Sequence, residues 1–335
     1  MKVPPPEETK VVICTGHQFT FLRTPVELAQ RVQQRWPEMR VVHLPDHKLL
    51  PPELPDTDIF VGYILRPEQF RAAARLKWIH STAAGVAQLM YPELRNSGIV
   101  MSNASGVHAP PMAEYVAGMI IGLARGFPAA MRYQFRHQWA QQEIWDGPPR
   151  PREVAGDVAV LVGFGAVGRA TAERLRALGM RVWAVTHSGI ADSALAERVF
   201  TPAELGAALA AADFVVIAAP ETPETHHMIG APQLAAMKPG AFLINVARGS
   251  LVDEPALVAA LARRAIAGAA LDVTSVEPLP PESPLWSLEN VLITPHVSGI
   301  SERVWDRQGE LLVDNLERWF DGRPLRNRVD LARGY

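Results

Sequence analysis

The chain lacks the marks of several large protein classes. It has one cysteine, Cys14, among 335 residues, so no intramolecular disulfide can form and a reducing compartment is expected. That thiol ends the run VVIC and reads as a small buried hydrophobe. There is no Cys/His cluster and no HExxH spacing, which argues against structural and catalytic zinc sites. There is no GxSxG, so the elbow of an α/β-hydrolase is not supported. Charge is nearly balanced, 33 basic residues against 35 acidic for a formal net of −2. Neither nucleic acid nor an anionic membrane is therefore expected as a partner. The longest apolar stretch, AEYVAGMIIGLA (113–124), is far short of the ~20 residues of a membrane span and contains Glu114. The opening MKVPPPEETK has no apolar core of a secretory leader. A soluble cytoplasmic protein is the expectation.

Length suggests two domains, and a hydrophobic content of 48% is enough for two cores. The 29 prolines are scattered, which implies many short, stiff connections. VVICTG (11–16), RVVHLP (40–45), DIFVGYIL (58–65) and KWIHS (77–81) read as strands. PVELAQRVQQRW (25–36) and PEQFRAAARL (67–76) between them read as helices with proline in the first turn. HAPPM (108–112) precedes a helix expected over about 113–125, and DGPPRPREVAGD (146–157) precedes a second alternating region. There, strands are expected at 158–163, 181–186, 213–218, 241–247, 266–273 and 291–294, with helices from 166 and from 254. A last helix near 300–320 carries the stripe Val304, Trp305, Leu311, Leu312, Leu316, Trp319 and Phe320. It is free to return to the N-terminal domain. Strand–helix alternation implies two α/β domains built on parallel sheets, with a pocket between them.

Four of the apolar runs end on residues with chemical potential. DVAVLV (157–162) opens into Gly163-Phe164-Gly165-Ala166-Val167-Gly168, AFLINVA (241–247) into Arg248, GAALDV (268–273) leads to Glu277, and NVLITP (290–295) ends at His296. Ligands of an open parallel sheet lie outside the carboxyl ends of its strands, so these groups are expected at one edge of one sheet. GxGxxG between a strand and a helix is the turn that cradles a dinucleotide pyrophosphate. About 20 residues on, the acid that would bind the ribose hydroxyls of NAD is missing. The strand RVWAVT ends in Thr186-His187-Ser188-Gly189 instead. Room for a 2′-phosphate favours NADP, with NAD the alternative.

Arg248 offers a fork of donors for a carboxylate and a neighbouring carbonyl. His296 is a candidate general acid or base. Glu277, held by Pro278 and Pro280 on a stiff loop, is a candidate partner for the imidazole. Asp272, buried by its apolar upstream run, needs donors. Either a nicotinamide carboxamide or nearby backbone N–H groups would serve. His226 and His227 stay unassigned.

VGFGAVGR, APETPET (219–225), MKPGAFLINVARGSLVDEPAL, GAALDVTSVEPLP and NVLITPHVSG, in this order over about 155–300, resemble the D-isomer-specific 2-hydroxyacid dehydrogenases. LKWIHSTAAGV (76–86) and NASGVHAPPMAEYVAGMIIGLAR (103–125) resemble that family's substrate loop and first interdomain helix. The resemblance implies two doubly wound parallel-sheet domains, with a Rossmann cofactor domain (108–298) inserted into a flavodoxin-like substrate domain (1–107 and 299–335). It implies hydride transfer between NADP(H) or NAD(H) and a small 2-keto or 2-hydroxy acid, glyoxylate or hydroxypyruvate being examples. Arg248 would bind the carboxylate and polarise the carbonyl. His296 would give the proton in reduction, with Glu277 as its partner. Ala84 and Gly85 would offer backbone N–H groups to the carboxylate. Asp272 would orient the carboxamide beside Val246 and Ala247, and Ala219 and Pro220 would also line the cofactor. Hinges are expected near Val107–Pro110 and Ser298–Ile300. A homodimer is expected, with the aromatic segment 126–147 covering the twofold partner. Two departures stand out: Thr186 replaces the usual acid, and Ala87 stands where the substrate loop often has a polar or acidic residue. Phosphite oxidation, or nicotinamide sensing with little turnover, are the alternatives. Glu277 stands where formate dehydrogenases place Gln, which disfavours that activity.

Overall fold

The computed structural model describes residues 3–17 and 19–334. Strands alternate with helices from the start: β1 (Lys10–Cys14), α1 (Val26–Arg35), β2 (Arg40–Leu44), β3 (Ile59–Gly62), α2 (Pro67–Ala72), β4 (Trp78–Ser81), α3 (Pro92–Arg95) and β5 (Val100–Ser102). Next come α4 (Ala109–Ala124), α5 (Phe127–Phe135) and α6 (Gln141–Asp146). The second alternating run is β6 (Val158–Val162), α7 (Ala166–Ala177), β7 (Arg181–Val185), β8 (Arg198–Phe200), α8 (Leu205–Ala211), β9 (Phe214–Ile217), α9 (Ala231–Ala236), β10 (Phe242–Asn245), α10 (Glu254–Ala262), β11 (Gly268–Leu271) and β12 (Val291–Ile293). The last helix is α11 (Val304–Phe320). The chain divides into two compact units, Met1–His108 with Ile300–Tyr335, and Ala109–Gly299.

The first unit holds a five-stranded sheet in the order β2-β1-β3-β4-β5, every pair parallel. This is the flavodoxin-type winding, with its switch point between β1 and β3. Both faces are covered, so the central strands β1 and β3 carry the continuous apolar runs VVIC and IFV. Val12, Cys14, Phe60, Ile79 and Met101 pack on one side; Val11, Ile13, Ile59, Val61 and Trp78 pack on the other. That second side is closed by α1 and by the α11 residues Leu312, Leu316 and Trp319. Chain about 300 residues downstream thus completes the core begun by residues 10–14.

The second unit holds seven parallel strands in the order β12-β11-β10-β9-β6-β7-β8. This is the Rossmann order extended by one strand, with its switch point between β6 and β9. Val158, Val160 and Val162 face one core, and Ala159 and Leu161 face the other. Replacing a fully buried side chain such as Leu161 by Ala is expected to cost about 2–5 kcal/mol.

Two helix boundaries differ from the sequence reading: α2 stops at Ala72, short of residue 76, and α4 starts early. The prolines of HAPPM do not precede α4; they lie inside its first turn, because α4 begins at Ala109. No intrahelical N–H is needed there, so proline fits without breaking the helix. Among the described residues no helix is long and apolar enough to cross a membrane.

Candidate active site

The register of the second sheet aligns the ends of six strands. Val185, Val162, Ile217, Asn245, Leu271 and Ile293 form one row of paired residues across β7, β6, β9, β10, β11 and β12. Adjacent strands are ~4.8 Å apart. The segments that leave this row start with Thr186, Gly163, Ala218, Val246, Asp272 and Thr294. Every second-unit residue singled out in the sequence therefore follows the carboxyl end of a strand in one sheet.

The glycine turn stands at the switch point, and its three glycines meet different surroundings. Gly163 has φ 98°, and a Cβ there would fall 2.5 Å from the Ala219 nitrogen. A Cβ on Gly168 would fall 2.4 Å from the Gly163 carbonyl oxygen. These two are glycine for internal packing. A Cβ on Gly165 would meet nothing within 4 Å, so there is open space above that position. The backbone N–H groups of Gly165, Ala166, Val167 and Gly168 find no acceptor among the described residues. Four free donors at the N-terminus of the twelve-residue helix α7 suit a pyrophosphate, and the loop bears no side chain that would fill the space over Gly165. The residues present fit a dinucleotide.

After β7, the Thr186 hydroxyl donates to the Ile190 carbonyl at 3.2 Å, and the same carbonyl is 3.5 Å from the Ser188 hydroxyl. The turn is closed by its own small side chains, with His187 exposed. Glu224, on the loop after β9, has its carboxyl held below the usual range. Its own backbone N–H is the main cause, then the Thr222 side chain, with a smaller share from the His187 imidazole.

After β10, the buried Asn245 side chain shapes the next turn. It donates to the Arg248 carbonyl at 2.9 Å and accepts from the Ala247 N–H at 3.0 Å. Arg248 is exposed, and among the described residues its only side-chain bond is to the adjacent Ala247 carbonyl at 2.7 Å. No carboxylate of the described residues neutralises it, so its guanidinium is available to an anion.

His296 and Glu277 meet beyond the next two strands. His296 Nδ1 lies 2.7 Å from Glu277 Oε2, and both side chains are partly exposed. The second carboxylate oxygen, Oε1, accepts the Thr274 N–H at 3.2 Å, which fixes the carboxylate on its own loop. Nε2 of His296 is thereby left for a third party.

Asp272 is 1% exposed. Its Oδ1 accepts the Thr294 hydroxyl at 2.6 Å and the Val297 N–H at 2.9 Å; its Oδ2 accepts the Ser298 N–H at 2.9 Å. Of the donors the sequence reading left open, protein groups occupy three of the roughly four lone-pair positions of a carboxylate.

Ala84 and Gly85 lie in the first unit, after β4. The carbonyl groups of this loop are tied down: Gln308 donates to Thr82 at 2.6 Å, the Ala104 N–H to Ala83 at 3.1 Å, and Asn103 to Ala84 at 2.7 Å. The Ala84 and Gly85 N–H groups have no acceptor among the described residues. A loop whose carbonyls are bound from behind and whose N–H groups are free is a nest for an anion. Sequence reasoning missed Asn103, Asn245, Thr294 and Gln308. A polar residue closing or following an apolar run was the available signal for Asn245 and Thr294; nothing local marked the other two.

Comparison with known proteins gives the family. The family model "D-isomer specific 2-hydroxyacid dehydrogenase, NAD binding domain" matches residues 117–298. A glyoxylate reductase of Korarchaeum cryptofilum is 33% identical over 293 residues, covering 85% of this chain and 86% of that protein. The chain belongs to the D-isomer specific 2-hydroxyacid dehydrogenase family. Among solved structures, a family member from Xanthobacter autotrophicus in complex with NADPH and MES has a TM-score of 0.82 at 29% identity, covering 98% of this chain and 99% of that one. The NADPH-dependent glyoxylate/hydroxypyruvate reductase of Sinorhizobium meliloti, in complex with NADP and sulfate, has a TM-score of 0.80 at 27% identity, covering 98% and 100%. This dehydrogenase is therefore an NAD(P)-linked oxidoreductase of the 2-hydroxyacid class, and its second unit is the nucleotide-binding domain.

Proposed function

We propose that the enzyme is an NADPH-preferring reductase of small 2-keto acids, glyoxylate and hydroxypyruvate among them. The observation that carries this reading is the 2.7 Å contact of His296 with Glu277, close along the sheet edge to an unpaired Arg248. A site that only sensed the nucleotide needs neither a held imidazole nor a free guanidinium.

The bound nicotinamide supplies hydride to the carbonyl carbon. Arg248 holds the carboxylate and polarises the carbonyl oxygen through its planar fork. The free N–H groups of Ala84 and Gly85, in the first unit, are a further candidate site for a carboxylate. In reduction His296 acts as the imidazolium: its Nδ1–H donates to Glu277, and its Nε2 proton goes to the developing alkoxide, leaving the neutral imidazole. The carbonyl thus gains a hydride on carbon and a proton on oxygen, and the hydroxy acid leaves with the oxidised nucleotide. The free N–H groups of residues 165–168 would hold the pyrophosphate, with Ala219, Pro220, Val246 and Ala247 lining the cofactor. The remaining acceptor position of Asp272 would take the carboxamide. Thr186, His187 and Ser188 admit a 2′-phosphate, since none of them is acidic. In this reading residues 1–107 with 299–335 serve the substrate, and residues 108–298 serve the cofactor.

A cytoplasmic homodimer completes the proposal. The single buried cysteine supports a reducing compartment. Phe127, Phe135, Trp139 and Trp145 are 53%, 78%, 88% and 53% exposed on the stretch carrying α5 and α6, an apolar surface suited to a twofold partner. Spectrophotometric assay of NADPH and NADH against a panel of 2-keto acids tests the activity. Oxidation of NADPH by glyoxylate or hydroxypyruvate is expected; inertness toward every 2-keto acid would overturn the reading. Light scattering at micromolar concentration tests the dimer.

A further inference from the structure

His296 holds its backbone in the left-handed region, at φ 54°. That conformation costs a non-glycine residue about 1–2 kcal/mol, so something must hold it there. Asp272 does so from both its backbone and its side chain. Its carbonyl accepts the His296 N–H at 2.9 Å. Its carboxylate accepts the next two N–H groups, of Val297 and Ser298, at 2.9 Å each. Three successive N–H groups converge on one residue, and the imidazole projects from the first of them.

The carboxylate is in turn held by the Thr294 hydroxyl, which the Tyr115 hydroxyl holds. As an ionised group Asp272 only accepts, so the Thr294 proton points to its Oδ1, at 2.6 Å. The Thr294 oxygen is then left as an acceptor. The Tyr115 hydroxyl lies 2.6 Å from it and must be the donor. Burial, together with the Asp272 charge, pushes the Tyr115 hydroxyl up to about 12 despite the Thr294 bond. It therefore stays protonated over any working range. Tyr115 lies on α4, which packs against β10 and β11. The donor chain therefore runs from Tyr115 through Thr294 to Asp272, and from there to the backbone of the His296 loop.

We infer that Tyr115 and Thr294 are positioning residues for His296, setting the reach of its imidazole through Asp272. This rests on His296 being the proton donor. Neither hydroxyl is needed for substrate or nucleotide affinity, which Arg248 and the glycine turn supply. A positioning role predicts a loss in kcat with little change in binding, because a misplaced acid affects the reaction step.

The experiment is steady-state reduction of glyoxylate by NADPH with Tyr115→Phe, Thr294→Val, Thr294→Ser and His296→Ala, alongside fluorescence titration with NADPH. Tyr115→Phe should lower kcat about 3- to 10-fold and Thr294→Val about 10- to 100-fold, the weight of one or two hydrogen bonds. Thr294→Ser keeps the hydroxyl and should stay within about threefold of the parent. The KM for glyoxylate and the NADPH Kd should change less than about twofold in each. Tyr115→Phe removes a single oxygen, so it keeps the question answerable if Thr294→Val folds poorly. The proposal is overturned if Tyr115→Phe retains the parent kcat, if Thr294→Ser is as impaired as a folded Thr294→Val, or if the losses fall on affinity rather than kcat. An inactive His296→Ala beside a fully active Tyr115→Phe sinks the positioning role alone; an active His296→Ala sinks the proton-donor reading beneath it.

Discussion

The Cα of Gly249 lies so close to Thr274 that a Cβ built on it would fall 2.0 Å from the Thr274 carbonyl carbon and oxygen. The turn that carries Arg248 is thus pressed against the loop that carries Glu277. Thr274 also gives its N–H to Glu277 Oε1 at 3.2 Å. Backbone meets backbone here, so no side-chain rotation relieves an added methyl. Gly249→Ala should separate Arg248 from the His296–Glu277 pair and lower kcat/KM for the 2-keto acid by about 10- to 100-fold, the usual cost of misplacement on the ångström scale. NADPH binding, measured by fluorescence titration, should change much less. Parent kcat/KM in this variant would mean the two loops are not coupled.

Cofactor choice is expected to turn on Thr186. A carboxylate there would repel a 2′-phosphate and accept from a ribose hydroxyl. Thr186→Asp should therefore lower the ratio of kcat/KM for NADPH to that for NADH by roughly tenfold or more, since like charges facing each other cost several kcal/mol. Comparing both nucleotides at saturating glyoxylate checks it. A parent enzyme that already prefers NADH would refute this reading of the turn.

Acid sensitivity should come in part from His80. It is 1% exposed, its Nδ1 lies 2.8 Å from the Ser102 hydroxyl, and its Nε2 has no partner among the described residues. Burial lowers its pKa from 6.5 to about 4. The unfolded chain therefore binds this proton near pH 6.5 while the folded chain resists it until about pH 4. The stabilisation is complete above the unfolded value and falls by one proton's worth per pH unit down to the folded value, roughly 3 kcal/mol in all. His80→Gln should flatten that part of the stability–pH curve. Denaturant unfolding between pH 8 and pH 4 measures it, and identical slopes for parent and variant would contradict it.

Much of this was legible in the chain because buried parallel strands are continuous apolar runs. DVAVLV, AFLINVA and GAALDV announce β6, β10 and β11, and the residues that follow them had to leave at one edge. Short or polar elements were less visible. Strand β5 has three residues and β8 is RVF, ending on a half-buried face; neither shows a period. Helices α8 and α9, of seven and six residues, span too few turns to show a stripe. The pairing of Tyr115 with Thr294 spans 179 positions and leaves no local trace. Asp272 illustrates the remaining limit. Its burial could be read from GAAL before it, but its donors come from residues 294–298 and are supplied only by the fold.

The most direct test of the account is the rate of NADPH oxidation by glyoxylate in His296→Ala against the parent enzyme. The 2.7 Å Nδ1–Oε2 contact is the observation on which His296 is proposed as the proton donor. Its loss should reduce kcat by roughly 10²- to 10⁴-fold, the weight of general acid catalysis. The NADPH Kd should be unchanged, because the glycine turn lies four strands away in the order β12-β11-β10-β9-β6. Turnover within a few-fold of the parent, with NADPH bound normally, would contradict the central claim that this imidazole delivers the proton.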